Sequence, residues 1–352
     1  MSLTTHERPG VYSSYGASSL IRGSGGRKTV GLVAVNTKAT AKTVYPITSY
    51  EEAVATFGSA GGQDMAELIR VLLLNGAASV VAVPVASADD YEDGFAVLAA
   101  QENISVVVCD STTQTIQQAL RDSVVSASNA RRERIAVVAG GAEETVTNLT
   151  ARAQALNSER VVLVAPGGTD TDGTALSGLT AAAAVAGTIA AQNDPALPLS
   201  GAELQGLNGL SAQYSDNDID LLVRGGVTPL ECVSGILSVV RGITSRTATA
   251  SSPDTTWREL STILIVDDVI PSIRESLRAK FRRAKNTEQS RGAIRSQVVL
   301  ELENKLSREI ITGYENVTVT ADTENPTVCL VEFSFTVAHG LNQIWLTASI
   351  TI

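Results

Sequence analysis

Apolar and polar positions follow two rhythms along this chain, and the change between them falls near residue 250. Between residues 80 and 191, short apolar runs alternate with longer mixed ones. Runs 80–85, 104–109, 135–139 and 161–165 are Val-rich and free of charge, as strands buried on both faces must be. The mixed segments 89–101, 113–129, 143–156 and 175–191 are long enough for helices. Strands joined by helices through short links predict right-handed crossovers and a parallel sheet covered on both sides. Upstream, residues 29–36 read as a strand. Ser49 with Glu51 and Glu52 caps a short helix ending at Gly58, and 64–74 reads as an amphipathic helix closed by Gly76. Downstream of Pro195 and Pro198 come a loop-rich passage, a helix at 216–223, the turn Gly225-Gly226 and apolar segments 230–233 and 236–240.

The Ala-, Thr- and Ser-rich stretch 247–253 marks a boundary, and the order beyond it is helix, helix, strand, strand, strand. Asp267 and Asp268 are expected to cap the first helix, with Pro271 in its first turn and an apolar stripe of Ile270, Ile273, Leu277 and Phe281. The second helix, 293–312, carries Ile294, Val298, Leu302, Leu306 and Ile310 on one stripe and stops at Gly313. Strands follow at 316–321 and 327–337, the latter alternating Cys329, Val331, Phe333, Phe335 and Val337. The last eleven residues form the clearest period-two pattern in the chain. Ile344, Leu346, Ala348, Ile350 and Ile352 alternate with Trp345, Thr347, Ser349 and Thr351, uninterrupted by Gly, Pro or charge. At about 3.3 Å per residue this strand could run ~36 Å. It must enter a sheet, its own or a neighbouring subunit's. The opposite end, Arg8-Pro9-Gly10-Val11-Tyr12 followed by a Ser- and Gly-rich run to Gly26, has too few apolar groups to pack alone and reads as an arm. The fold class expected is α/β: a parallel-sheet middle domain and an α+β C-terminal domain, with extended arms at both ends.

Charge adds one feature. The chain holds 37 acidic and 27 basic side chains, a balance that argues against nucleic acid as a global partner. Yet residues 274–308 carry ten Arg or Lys against four Glu. Arg274, Arg278 and Arg282 fall at steps of four, with Arg283 and Lys285 beside them. Such a band is either a solvated face or a docking surface for an acidic partner, including other copies of the same acidic chain.

Chemistry is thin elsewhere. The turns Gly140-Gly141-Ala142-Glu143-Glu144 and Pro166-Gly167-Gly168-Thr169-Asp170 stand where α/β folds bind ligands, but they offer carboxylates that repel phosphate and match no nucleotide motif. Asp170 and Asp172 are explained as helix-capping acids before they are explained as cation ligands. His6 and His339 are the only histidines, too few and too remote for a hydrolytic triad or a histidine metal site. Cys109, Cys232 and Cys329 lie in strand-like runs without ligand spacing and are expected as reduced core residues of a protein folded in a cytosol. No secretion signal or membrane-spanning run is present. No catalytic residue, cofactor or metal is expected.

Taken in succession, Arg8-Pro9-Gly10-Val11-Tyr12, the 216–226 helix and turn leading into Val227-Thr228-Pro229-Leu230-Glu231, the segment Val240-Arg241-Gly242-Ile243-Thr244 and the helix-helix-strand end resemble the contractile tail sheath proteins of bacteriophages and phage-tail-like bacteriocins. The resemblance runs nearly the whole length. It implies a subtilisin-like middle domain used structurally, in a subunit that polymerises as stacked rings around an inner tube and contracts to drive that tube through a bacterial envelope. It further implies these divisions: an N-terminal arm at 1–26, the N-terminal part of the sheath core at 27–88, the α/β middle domain at 89–250, the C-terminal domain at 251–341 and a strand arm at 342–352. Pro9, Gly10, Val11, Tyr12 and the alternating residues Ile344, Leu346, Ala348, Ile350 and Ile352 would be strands given to neighbours. Arg274, Arg278, Arg282 and Arg283 would meet the tube or another sheath subunit. The implied partners are further copies, the inner tail tube protein, and baseplate and tail terminator proteins, with neither nucleic acid nor membrane insertion. Synthesis would be in the bacterial host cytoplasm, and the destination a virion tail or released tail-like particle. The rival from another class is an α/β enzyme with an oligomerising C-terminal module.

Overall fold

The computed structural model describes residues 28–342. Its centre is an eight-stranded sheet ordered β2-β3-β1-β4-β5-β6-β7-β8. The chain enters through β1 (Thr29–Val35), the antiparallel edge strand β2 (Tyr45–Ile47), α1 (Tyr50–Phe57), α2 (Met65–Leu74) and β3 (Ser79–Val85). It continues through α3 (Tyr91–Ala99), β4 (Ile104–Cys109), α4 (Gln114–Asn129), β5 (Ile135–Ala139), α5 (Val146–Leu156), β6 (Val161–Ala165) and α6 (Leu179–Ala191). Then come α7 (Asp216–Arg224), β7 (Val227–Val233) and β8 (Ile236–Val239). β1, β3, β4, β5, β6 and β7 pair in parallel, and β2 and β8 close the two edges antiparallel. Every residue of β5 and β6 is buried, which is why those strands read as continuous apolar runs.

One face of the sheet packs against α1, α2 and α6, the other against α3, α4, α5 and α7. Helix α6 is almost wholly buried, and its small residues let it approach α2. A Cβ on Gly187 would lie 2.7 Å from the Leu72 carbonyl oxygen and 2.8 Å from Asn75 Cβ. Alanine normally gains about 1 kcal/mol over glycine in a helix, but an overlap with backbone cannot be relieved by a rotamer change, and overpacking costs about 1–3 kcal/mol. Gly187→Ala is therefore expected to lower the denaturant midpoint of unfolding. An unchanged or raised midpoint would show that α2 and α6 can part freely.

After the two-residue pair β9 (Ala248–Thr249) and β10 (Ser252–Pro253) comes the C-terminal module: α8 (Leu260–Phe281), α9 (Glu288–Ser307), β11 (Ile311–Ala321) and β12 (Cys329–Val337). Here the sequence expectations need correction. Helix α8 begins at Leu260, so Asp267, Asp268 and Pro271 sit in its interior and cap nothing. Pro271 has no N–H for the carbonyl four residues earlier, a loss of about 3 kcal/mol. Burial outweighs it: Leu260, Ile263 and Leu264 belong to the core of the sheet, and Ile265, Val269 and Ile273 to the C-terminal core, at roughly 1.5–3 kcal/mol per fully buried side chain. Helix α9 ends at Ser307 rather than 312. Glu309 takes a left-handed φ of 58°, and the Ile310 and Glu309 N–H groups bond back to Lys305 and Leu306 at 3.0 Å each, the bond pattern of a Schellman motif. Strand β11 starts immediately after and is correspondingly longer than expected.

Three smaller corrections follow. The α5 segment opens at a Thr145 cap, not at Glu143. The 170–174 stretch is a tight loop closed by a Thr169–Ala175 bridge, so Asp170 and Asp172 do not cap α6, which starts at Leu179 after Gly178. Of the cysteines expected in the core, Cys109 is buried, but Cys329 is half-buried and Cys232 exposed, because β7 runs out past its neighbours into a hairpin with β8.

Candidate assembly surfaces

Ligands of doubly wound folds sit at the carboxyl ends of the strands, where the strand order reverses. In this chain that point lies between β1 and β4, and it is filled. Asp110, just past β4, accepts the Val35 N–H at 2.9 Å and the Tyr91 hydroxyl. Burial pushes the Asp110 carboxyl above its ordinary value, only partly opposed by those two donors. A raised folded-state pKa stabilises the fold below the ordinary carboxylate range and loses that contribution as pH rises through the raised value. Asp110→Asn keeps an acceptor for Val35. Wild type is thus expected to lose more stability than the variant between about pH 4 and pH 7, as read from urea midpoints. Parallel pH curves would contradict this.

The two glycine turns are likewise self-satisfied. Glu144 accepts the Gly141 N–H at 2.8 Å and pairs with Arg152 through both oxygens. Arg152 in turn reaches the Thr112 carbonyl at 2.7 Å. At the next strand end a Cβ on Gly167 would fall 2.1 Å from the Leu176 carbonyl oxygen, so the backbone itself occupies the space a phosphate would need. The cleft left between these turns, about 200 Å³ and faced by Tyr214, is lined by Glu143 and Glu144. Burial pushes the Tyr214 hydroxyl up to about 12, with Asp218 and Glu144 adding to it. Among the described residues no group of three or more His, Cys, Asp or Glu could hold a metal ion, and no helix is long and apolar enough to cross a membrane.

The basic helix divides. Arg274 donates to Glu133 at 2.6 Å; burial would raise the Glu133 carboxyl, but Arg274 and backbone bonding hold it below its ordinary value. Arg274 thus ties α8 to the amino end of β5. Arg278, Arg282 and Arg283 stand exposed at the far end of α8. The same helix is anchored midway. Arg160 donates to both oxygens of Asp267 at 2.8 and 3.0 Å, and Lys305 to Asp268 at 2.5 Å and Ser272 at 3.1 Å. These two aspartates, expected as caps, are anchors inside α8 instead. The signal missed was their position midway along a stripe that continues upstream to Leu260.

Backbone edges distinguish the two sheets. The large sheet is closed at one edge by the three-residue β2 with Pro46 at its centre. At the other, β8 exchanges bonds with residues 201–204: Leu204 N–H to Leu237 O at 2.8 Å, Val239 N–H to Ala202 O at 3.1 Å and Gly201 N–H to Val239 O at 2.7 Å. The β11–β12 sheet has two strands of eleven and nine residues. Its inward positions, among them Val331, Phe333 and Phe335, rest against the C-terminal core. Long edges of this kind are templates for another strand. The strand residues Pro9, Gly10, Val11, Tyr12, Ile344, Leu346, Ala348, Ile350 and Ile352 lie outside the described residues.

Comparison with known proteins matches this architecture. The phage tail sheath protein central domain matches residues 85–245 and the phage tail sheath C-terminal domain residues 252–351. The chain belongs to the phage tail sheath protein family. It is 29% identical over 249 residues to the tail sheath protein of Bacillus phage SP01, which covers 69% of this chain and 42% of that protein. The chain thus spans less than half the length of that curated relative. Solved sheath structures share its fold. The helical sheath of the anti-feeding prophage in its contracted state superposes with a TM-score of 0.73 at 16% identity, covering 98% of this chain and 99% of that one. The sheath tail protein from Desulfitobacterium hafniense gives 0.70 at 12%, over 93% and 100%.

Proposed function

We propose that this chain is the structural subunit of a contractile tail sheath, polymerising as stacked rings around an inner tube and contracting to drive the tube through a bacterial envelope. The observation that carries this reading is the contrast of edges among the described residues: a main sheet closed by β2 on one side and by residues 201–204 on the other, beside a C-terminal sheet of two long strands with no further strand paired to them. Arms from neighbouring copies, residues 1–26 and 342–352, add strands there, so main-chain hydrogen bonds hold the mesh while the subunits rotate. The relatives include a structure of the anti-feeding prophage baseplate. That supports a baseplate partner for this chain, alongside the tube and tail terminator. The subunit is made in the bacterial host cytoplasm and ends in a virion tail or released tail-like particle. Contraction runs downhill from an extended state templated on tube and baseplate.

The exposed end of α8 is the proposed contact with the tube or another sheath subunit. Arg278→Glu with Arg282→Glu reverses its charge without touching Arg274 or its Glu133 partner. The double variant is expected to fold with wild-type stability and to lose co-assembly with tube protein in a pelleting assay. Normal contractile particles from this variant would remove α8 from the contact.

A further inference from the structure

The parallel sheet sorts charge along its strand axis. The loops that follow β3, β4, β5 and β6, at residues 86–90, 110–113, 140–145 and 166–178, hold seven carboxylates and no Lys or Arg. Lys38 and Lys42, after β1, are exposed but partnered within the subunit: Lys38 donates to the Ala55 carbonyl at 3.0 Å, and Lys42 pairs with Asp90 and Asp93 at 2.9 and 2.7 Å. At the opposite end, Lys28 and the segments 100–103, 130–134, 157–160 and 224–226 lead into the strands with six basic and three acidic side chains. Helix α8 crosses this end, fixed by Arg160–Asp267 and Arg274–Glu133, and residues 278–285 add five basic side chains and no acidic one. A polar cleft of about 580 Å³ opens here; Lys28, Arg131, Arg132, Arg134 and Arg278 share its wall with Glu102, Glu133, Asp267 and Glu275, of which Glu133 and Asp267 are already paired with Arg274 and Arg160. Each end also has a shape. The acidic end projects the loop 170–174, every residue of it exposed, held by the Asp170 N–H to Thr174 carbonyl bond at 2.9 Å.

We propose that copies of this chain stack along the strand axis, the acidic loop 170–174 of one entering the basic cleft between α8 and the amino ends of β4 and β5 in the next. The inference rests on the sheath reading only in requiring a homopolymer. A foreign acidic partner would account for the basic end and leave the acidic end unexplained, whereas a second copy satisfies both. The contact is heterologous: each copy keeps one unused face of each sign, so growth is open-ended rather than closing in a pair. Opposed faces of this kind steer association and weaken as salt screens them.

Two full-length variants test it. Arg131→Glu with Arg224→Glu reverses exposed positions at the basic end, where Arg224 has only the exposed Asp220 as partner. Glu143→Lys with Asp172→Lys reverses the acidic end. Wild type is expected to sediment as polymer, while each variant alone loses at least tenfold of its pelleted fraction at an unchanged melting temperature. An equimolar mixture should pellet again, because the acidified head of one variant fits the basified tail of the other. The neutral pairs, Arg131→Gln with Arg224→Gln and Glu143→Gln with Asp172→Asn, put less strain on the fold and should show an intermediate loss. Variants that pellet like wild type, or a mixture that stays soluble, would overturn the stacking and leave the sheath reading standing. Wild-type chains that never form polymer would sink both.

Discussion

Removing residues 344–352 is expected to leave a folded monomer with wild-type thermal stability that no longer polymerises. Residues 28–342 supply three extensive buried cores, enough packing for the described domain to fold on. The segment's alternating Ile344, Leu346, Ala348, Ile350 and Ile352 instead match the pleat of a sheet in need of a third strand. Losing a donated strand removes a run of main-chain hydrogen bonds from every link of the polymer while each subunit keeps its own packing. Circular dichroism melting and sedimentation of the truncated chain separate the two consequences. Collapse of the monomer itself would place the strand inside its own domain.

A large effect on stability is expected from Arg160→Ala. Asp267 lies mostly buried against Arg160, with side-chain exposures of 15% and 13%, and removing one partner of a buried pair typically costs about 3–5 kcal/mol because the other charge stays desolvated. Burial already pushes the Asp267 carboxyl above its ordinary value despite Arg160, and without the guanidinium it rises further. A raised folded-state pKa favours the fold at low pH and not at high pH. The Arg160→Ala deficit should therefore be larger at pH 7 than at pH 5 in urea titrations. An equal deficit at both would mean that water reaches Asp267 freely. Because this pair joins α8 to the start of β6, the variant also tests whether the C-terminal module needs that anchor to stay docked.

What the sequence revealed follows from which forces act locally. Residues 104–109, 135–139 and 161–165 read as strands and are β4, β5 and β6 without adjustment, since burial on both faces leaves no charged residue to blur their limits. The stripe from Ile294 to Ile310 was legible for a similar reason: Val298, Leu302 and Ile310 are buried on one side of α9 and just beyond it. Limits set by backbone geometry or distant partners were not legible. Glu309 ends α9 in a left-handed conformation that Gly313 seemed to offer, and a single non-glycine residue gives no compositional sign of that. Asp267 and Asp268 look like caps until Arg160 and Lys305, distant in sequence, are seen beside them. The cover that residues 201–204 give to β8 has no periodic signature at all. At the assembly surfaces, the charge surplus over 274–308 was visible in the sequence, but not that Arg274 is spent on Glu133, nor that the loops at the two ends of the strands carry opposite signs.

A sheath subunit must be able to build cylinders from copies of itself. Negative-stain imaging of the purified full-length protein, concentrated without tube or baseplate, tests it most directly. Hollow striated cylinders in the contracted form are the result this account predicts. Single subunits persisting at every concentration would contradict it, and extended cylinders formed without a tube would contradict the downhill contraction.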